Sequence, residues 1–167
     1  CIQQGCCNVF IGMNAGQGSC SNMACNHGDR NIAIGIDALK SVQNTNGAIA
    51  IGQGAGHDAT CASGGIFIGT GAGCKNDKGT SNVYVGYYAG KCSTNEYTTR
   101  NVALGYQAGG SQSAFCGRQN VSIGDYAGAG GGSGCSNIFI GSFAGCRSFG
   151  SADSGCNIAI GSKAGFY

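Results

Sequence analysis

A nine-residue unit recurs nine times in this chain and leaves little freedom in the choice of fold. Its first residues are Asn8, Asn31, Ala48, Gly65, Asn82, Asn101, Asn120, Asn137 and Asn157. The pattern is Asn, Val/Ile, any, Ile/Val/Leu, Gly, any, any, Ala, Gly, as in Asn101-Val102-Ala103-Leu104-Gly105-Tyr106-Gln107-Ala108-Gly109. The fifth place is always Gly and the eighth always Ala; the ninth is Gly except at Leu39. Aliphatic residues at the second and fourth places share one face of a short strand. That face is expected to point inward, with the Ala filling a narrow interior. The invariant Gly marks a tight turn or close backbone approach. Asn at the first place suits a left-handed turn, and stacked copies form an Asn ladder.

One unit cannot bury its own apolar face, whereas stacked units can. A period of 17 to 23 residues with one short strand per period predicts an all-β fold. It is a parallel β-solenoid, or β-roll, of nine coils in a single domain over 1–167. At one strand spacing per coil the rod is on the order of 43 Å long. Gly, Ser, Asn and Thr fill the segments between units, which is loop chemistry. No second strand is legible there.

Composition narrows the function. Gly accounts for 34 of 167 residues but not at every third position, so collagen is excluded. Charged residues make up 10% and the net charge is +2, with no basic run to meet nucleic acid. No apolar run is long enough to span a membrane. No nucleophile elbow, His-Glu-x-x-His, phosphate loop or calcium nonapeptide occurs, so neither an enzyme nor a cofactor is expected. His57-Asp58 reads as a solvated loop pair, and Asn120-Val121-Ser122 as a chance glycosylation match inside a unit.

All twelve cysteines lie outside the units: Cys1, Cys6, Cys7, Cys20, Cys25, Cys61, Cys74, Cys92, Cys116, Cys135, Cys146 and Cys156. This density predicts disulfide staples and an oxidising, extracellular setting. Plausible pairs are Cys61 with Cys74, Cys92 with Cys116, and Cys135 with Cys146 or Cys156.

Two features bear on assembly. Head Cys1–Cys7 and tail Phe166-Tyr167 together match an internal loop in length, so copies could continue the repeat end to end. Such a contact builds filaments, with head cysteines bridging to the preceding copy. The third place, read as outward, carries Phe10, Phe67, Tyr84 and Phe139. These, with Phe166 and Tyr167, are the candidate interface residues, for lateral packing or contact with sugar.

The unit resembles repeats in the heads of trimeric autotransporter adhesins and in bacteriophage and virus tail-fibre proteins. Asn82-Val83-Tyr84-Val85-Gly86-Tyr87-Tyr88-Ala89-Gly90 and its sister copies carry the resemblance. It implies a parallel β-roll displayed at a cell or virion surface, generally three chains side by side, with a structural or adhesive role. The expected function is therefore a self-assembling filament or fibre subunit. The alternative is an adhesin or receptor-binding head with a cell-surface glycan as partner.

Overall fold

The computed structural model describes residues 5–18, 28–75, 78–91, 98–110, 117–130, 134–146 and 155–165. Each unit contributes one three-residue strand: β1 (Val9–Ile11), β2 (Ile32–Ile34), β3 (Ile49–Ile51), β4 (Ile66–Ile68), β5 (Val83–Val85), β6 (Val102–Leu104), β7 (Val121–Ile123), β8 (Ile138–Ile140) and β9 (Ile158–Ile160). They form one parallel nine-stranded sheet in chain order. Register is exact from coil to coil, as in Val83↔Val102, Tyr84↔Ala103 and Val85↔Leu104. The chain is a parallel β-solenoid, and coils are numbered here by their strands. Beyond these strands the described residues add only an isolated parallel bridge, Thr99↔Arg118.

The strands face the opposite way from the expectation. The middle residue points inward, and the aliphatics on either side of it point outward. Ala33, Ala50, Phe67, Tyr84, Ala103, Ser122 and Phe139 are buried, and Phe10 packs against the core. Alternation along a strand separates two faces without saying which is inside. The deciding contact lies nine residues into the unit. The ninth-place Gly has a φ near +60° and lies against the third-place side chain of its own coil, as Gly16 does against Phe10 and Gly145 against Phe139. A Cβ there would enter the ring. Gly is thus required both by the left-handed backbone and by the space the ring occupies.

Leu39 shows the same rule from the other side. Its coil has Ala33 at the third place, which leaves room, and Leu39 fills it with no solvent exposure. Packing to native density requires such exchange of large for small. The fifth-place Gly meets a different demand. Gly12 has φ +127°, and a Cβ there would lie 2.6 Å from the carbonyl oxygen of Gly35. The same collision repeats at Gly35, Gly52, Gly69, Gly86, Gly105, Gly124 and Gly141.

The Asn ladder is present and buried. The side-chain oxygens of Asn82, Asn101 and Asn120 accept the backbone N–H of Asn101, Asn120 and Asn137, each at 2.9 Å. Their amide nitrogens donate to the carbonyls of Thr98, Gly117 and Gly134 in the loop before the next coil. Left-handed φ values fall on the residue before the Asn, such as Arg100 and Gln119, rather than on the Asn. Where Ala48 and Gly65 interrupt the ladder, the buried Thr45 hydroxyl donates to Ala59's carbonyl and accepts Ala62's N–H. Buried polar groups are costly unless paired, and these pairings meet that demand.

Candidate assembly surface

Inverting the strands makes a surface of what the sequence suggested was core. The first and last residues of each strand stack into two outward columns, eighteen aliphatic side chains in all. One runs from Val9 through Ile66 and Val102 to Ile158; the other runs from Ile11 through Ile68 and Leu104 to Ile160. No charge interrupts either column. Ile51 and Ile68 are each 37% exposed within the rod. A face roughly 40 Å by 10 Å gives on the order of 400 Å² of apolar surface, a size that marks binding faces on soluble proteins.

The candidate interface residues fall elsewhere. Phe67, Tyr84 and Phe139 are core, and Phe10 is half-buried against it. They sit inward because third-place rings lie over ninth-place glycines. Phe166 and Tyr167 lie outside the described residues. The aliphatic columns were the residues that sequence reasoning misassigned. One signal pointed to them: the second and fourth places never vary from Val, Ile or Leu, whereas the third ranges from Ala and Ser to Phe and Tyr. Variation in size is what an irregular interior needs.

Beyond the columns, at the sixth and seventh places, an aromatic run crosses coils 5 to 8. Tyr88 meets Tyr87 edge-on with centroids 4.5 Å apart. Tyr87 stacks on Tyr106 at 5.2 Å, Tyr106 tilts against Tyr126 at 5.4 Å, and Tyr126 stacks on Phe143 at 5.1 Å. Lys91 places its ammonium 4.2 Å from the Tyr88 ring centroid. Crowding by neighbouring rings, then the charges and hydrogen bond of nearby tyrosines, raise the Tyr87 pKa above the ordinary phenol value. A hydrogen bond to Tyr106 is the first cause of the same shift at Tyr126.

Among the described residues no disulfide staples the coils: Cys6, Cys7, Cys61, Cys74, Cys135, Cys146 and Cys156 are not bridged to one another. The expected bridges Cys61–Cys74 and Cys135–Cys146 or Cys135–Cys156 are therefore not formed. Cys74 and Cys146 directly follow the ninth-place glycines, whereas Cys61 lies further along its loop; Cys135 and Cys156 meet in adjacent coils, the Cys156 N–H donating to the Cys135 carbonyl at 2.9 Å. Cys6 and Cys7 are adjacent, with sulfurs 3.6 Å apart in thiol contact. Cys1, Cys20, Cys25, Cys92 and Cys116 lie outside the described residues.

The polar residues singled out in the sequence bind one another. His57 Nδ1 lies 2.7 Å from Asp58 Oδ1, and no third metal-ligating side chain joins them among the described residues. Asn120 is buried with its amide on Gly134, so the folded coil hides that glycosylation match. No helix among the described residues is long and apolar enough to cross a membrane. Neither a protein-family model, a curated protein nor a solved structure matches this chain.

Proposed function

We propose that this chain is a structural fibre module whose copies associate side by side through the apolar face of the sheet. The observation that carries this reading is the pair of uncharged aliphatic columns spanning all nine strands. A solvent-facing sheet surface normally carries polar residues in alternation with the core. Here both outward positions of every strand are aliphatic, which suits a partner that buries them. A second copy fits well. Its face has the same length and the same repeat, and two uncharged surfaces meet without like-charge repulsion.

This reading favours lateral association over head-to-tail stacking, because the apolar side chains line the flank of the rod. It agrees with the resemblance to side-by-side fibre heads and needs no cofactor, active site or disulfide. A surface location and a glycan partner belong to the same resemblance and extend the proposal.

Analytical ultracentrifugation is the direct test. The native protein is expected to sediment as a small closed oligomer. Ile51→Lys with Ile68→Glu places charges on half-exposed sites, so the rod should remain folded by circular dichroism but sediment as a monomer. A native protein that stays monomeric at tens of micromolar, an order-of-magnitude threshold for a weak interface, would refute the proposal. Long filaments in negative-stain electron micrographs that survive both substitutions would instead favour end-to-end stacking.

A further inference from the structure

Phenol rings react with one-electron oxidants, and this chain holds two of them in register at its surface. Tyr87 and Tyr106 occupy the sixth place of coils 5 and 6, and the coils on either side carry Thr70 and Asp125 there. The backbone fixes their separation. The Gln107 N–H donates to the Tyr87 carbonyl at 2.9 Å, so the two tyrosines stand one strand spacing apart. Their rings stack 5.2 Å apart between centroids, with 9° between the planes. Tyr87 is 46% and Tyr106 45% exposed. An oxidant in solution reaches both, and the open half gives each ring room to turn edge to edge with the other.

We propose that Tyr87 and Tyr106 form an oxidative crosslinking site: a peroxidase with hydrogen peroxide joins them through a Cε–Cε bond, a dityrosine staple between coils 5 and 6. Each phenol gives up one electron and one proton. This leaves a phenoxyl radical whose unpaired spin is shared between Oη and the Cε carbons. The radicals combine at Cε. The hydrogen on each joined carbon then moves to the oxygen, which restores both rings and both hydroxyls. Two hydrogen atoms leave in all, and hydrogen peroxide takes them up to become two waters. Reacting groups held in place favour this bond within one chain over a bond between copies.

The surroundings of the other tyrosines set them apart. Tyr88 lies closer to Tyr87, at 4.5 Å, but edge-on. A Cβ at Gly71 would run into Cδ1 and Cε1 of Tyr88, so that edge of the ring is packed against coil 4. The Lys91 ammonium, 4.2 Å from the Tyr88 ring centroid, also opposes removal of an electron from that ring. Tyr126 is half-buried, tilts 60° against Tyr106 and has Phe143 stacked on it. Tyr84 is buried in the core. Tyr97 and Tyr167 lie outside the described residues.

The bond forms within one rod, with or without lateral association. Among the described residues no disulfide ties one coil to the next. A carbon–carbon bond would do so, and it survives reducing conditions that open a disulfide.

Treatment of the purified full chain with a haem peroxidase and hydrogen peroxide, followed by reduction of any disulfides, tests the site. Under denaturing conditions the product is expected to migrate as one chain and to show dityrosine fluorescence. Trypsin, cutting after Lys78, Lys91, Arg100 and Arg118, should release peptide 79–91 bonded to peptide 101–118, two hydrogens lighter than their sum. Fragmentation should place the bond on Tyr87 and Tyr106. Tyr87→Phe and Tyr106→Phe each keep the ring and should abolish the linked pair. Tyr88→Phe and Tyr126→Phe should leave its yield unchanged.

A bond that maps to Tyr88, Tyr126 or any other tyrosine would overturn the proposal, as would dityrosine found only between copies. A linked pair that persists in either the Tyr87 or the Tyr106 variant would mean that another ring supplies the bond, with the same consequence. No dityrosine in the chain, while free tyrosine couples in the same mixture, would also overturn it.

Discussion

The middle residue of each strand and its two flanking residues are adjacent in sequence but serve different neighbours. The inner column runs Phe10, Ala33, Ala50, Phe67, Tyr84, Ala103, Ser122, Phe139, Ala159, and large and small side chains follow no regular order along it. The outer columns scarcely change over nine coils. The inner residues meet other parts of their own chain, where a large ring in one coil is offset by Gly or Ala nearby, as with Phe67 above Gly56. On the lateral-association proposal, outer residues are alike because the copy they meet is alike at every level. In a repeat protein, uniformity can thus mark the surface and variation the core.

The largest test of this contrast compares neighbours in one strand. Phe67 has no solvent exposure, lies against Gly65 and Gly73 and touches the Tyr84 ring at a centroid distance of 5.8 Å. Phe67→Ala should cost about 3–5 kcal/mol in chemical denaturation, the range for removing a buried aromatic ring. Ile68→Ala, one residue along, should cost about 1 kcal/mol or less in a monomeric background, because the side chain is already partly in water. Comparable costs at the two positions would mean that the inner and outer assignments fail.

A smaller effect is expected in the polar part of the interior. Asn101→Ala would orphan the buried N–H of Asn120 and the buried carbonyl of Gly117. Each lost partner costs about 1–3 kcal/mol, so a loss of about 2–6 kcal/mol is expected in the same denaturation measurement. Asn8→Ala should cost less, since Asn8 is only half-buried at the first coil. An equal loss at both sites would show that the ladder does not depend on burial.

The repeat period, the nine strands, the parallel stacking, the close approach at the fifth-place glycines and the Asn ladder were all readable from residue spacing. Each follows from local chemistry that repeats from coil to coil, the ladder alone being interrupted at Ala48 and Gly65. The facing of the strand was not readable in the same way. Burying Ala and Phe while exposing Ile and Val looks wrong for a lone rod, and the assumption that aliphatics point inward reversed both faces. Missing from that reading was the space left by ninth-place glycines, which is a contact between residues six apart within one unit. The pairings offered for Cys61 and Cys135 were not readable in the same way. A shared location outside the units does not put Cys61 beside Cys74 or Cys135 beside Cys146, and Cys135 and Cys156, whose backbones do meet in adjacent coils, are still not bridged. The aromatic run was visible as separate tyrosines at the sixth and seventh places. Only exact coil register joins Tyr87, Tyr106, Tyr126 and Phe143 into one chain of rings.

The exchange at coil 2 sharpens the inner half of the comparison with the smallest effect. Coil 4 pairs Phe67 with Gly73, whereas coil 2 pairs Ala33 with Leu39. If the interior is filled by either partner, Ala33→Phe alone overpacks the coil, because Leu39 already occupies the space, and should cost about 1–3 kcal/mol. Adding Leu39→Gly gives coil 2 the pairing of coil 4 and also relieves a residue held at φ 48°. The double variant should therefore return to within about 1 kcal/mol of the native stability, so the two changes are strongly non-additive. Additive losses in a double-mutant cycle would show that the third and ninth places do not share one space. The ninth-place glycine of the other eight coils would then have to be explained by its backbone conformation alone.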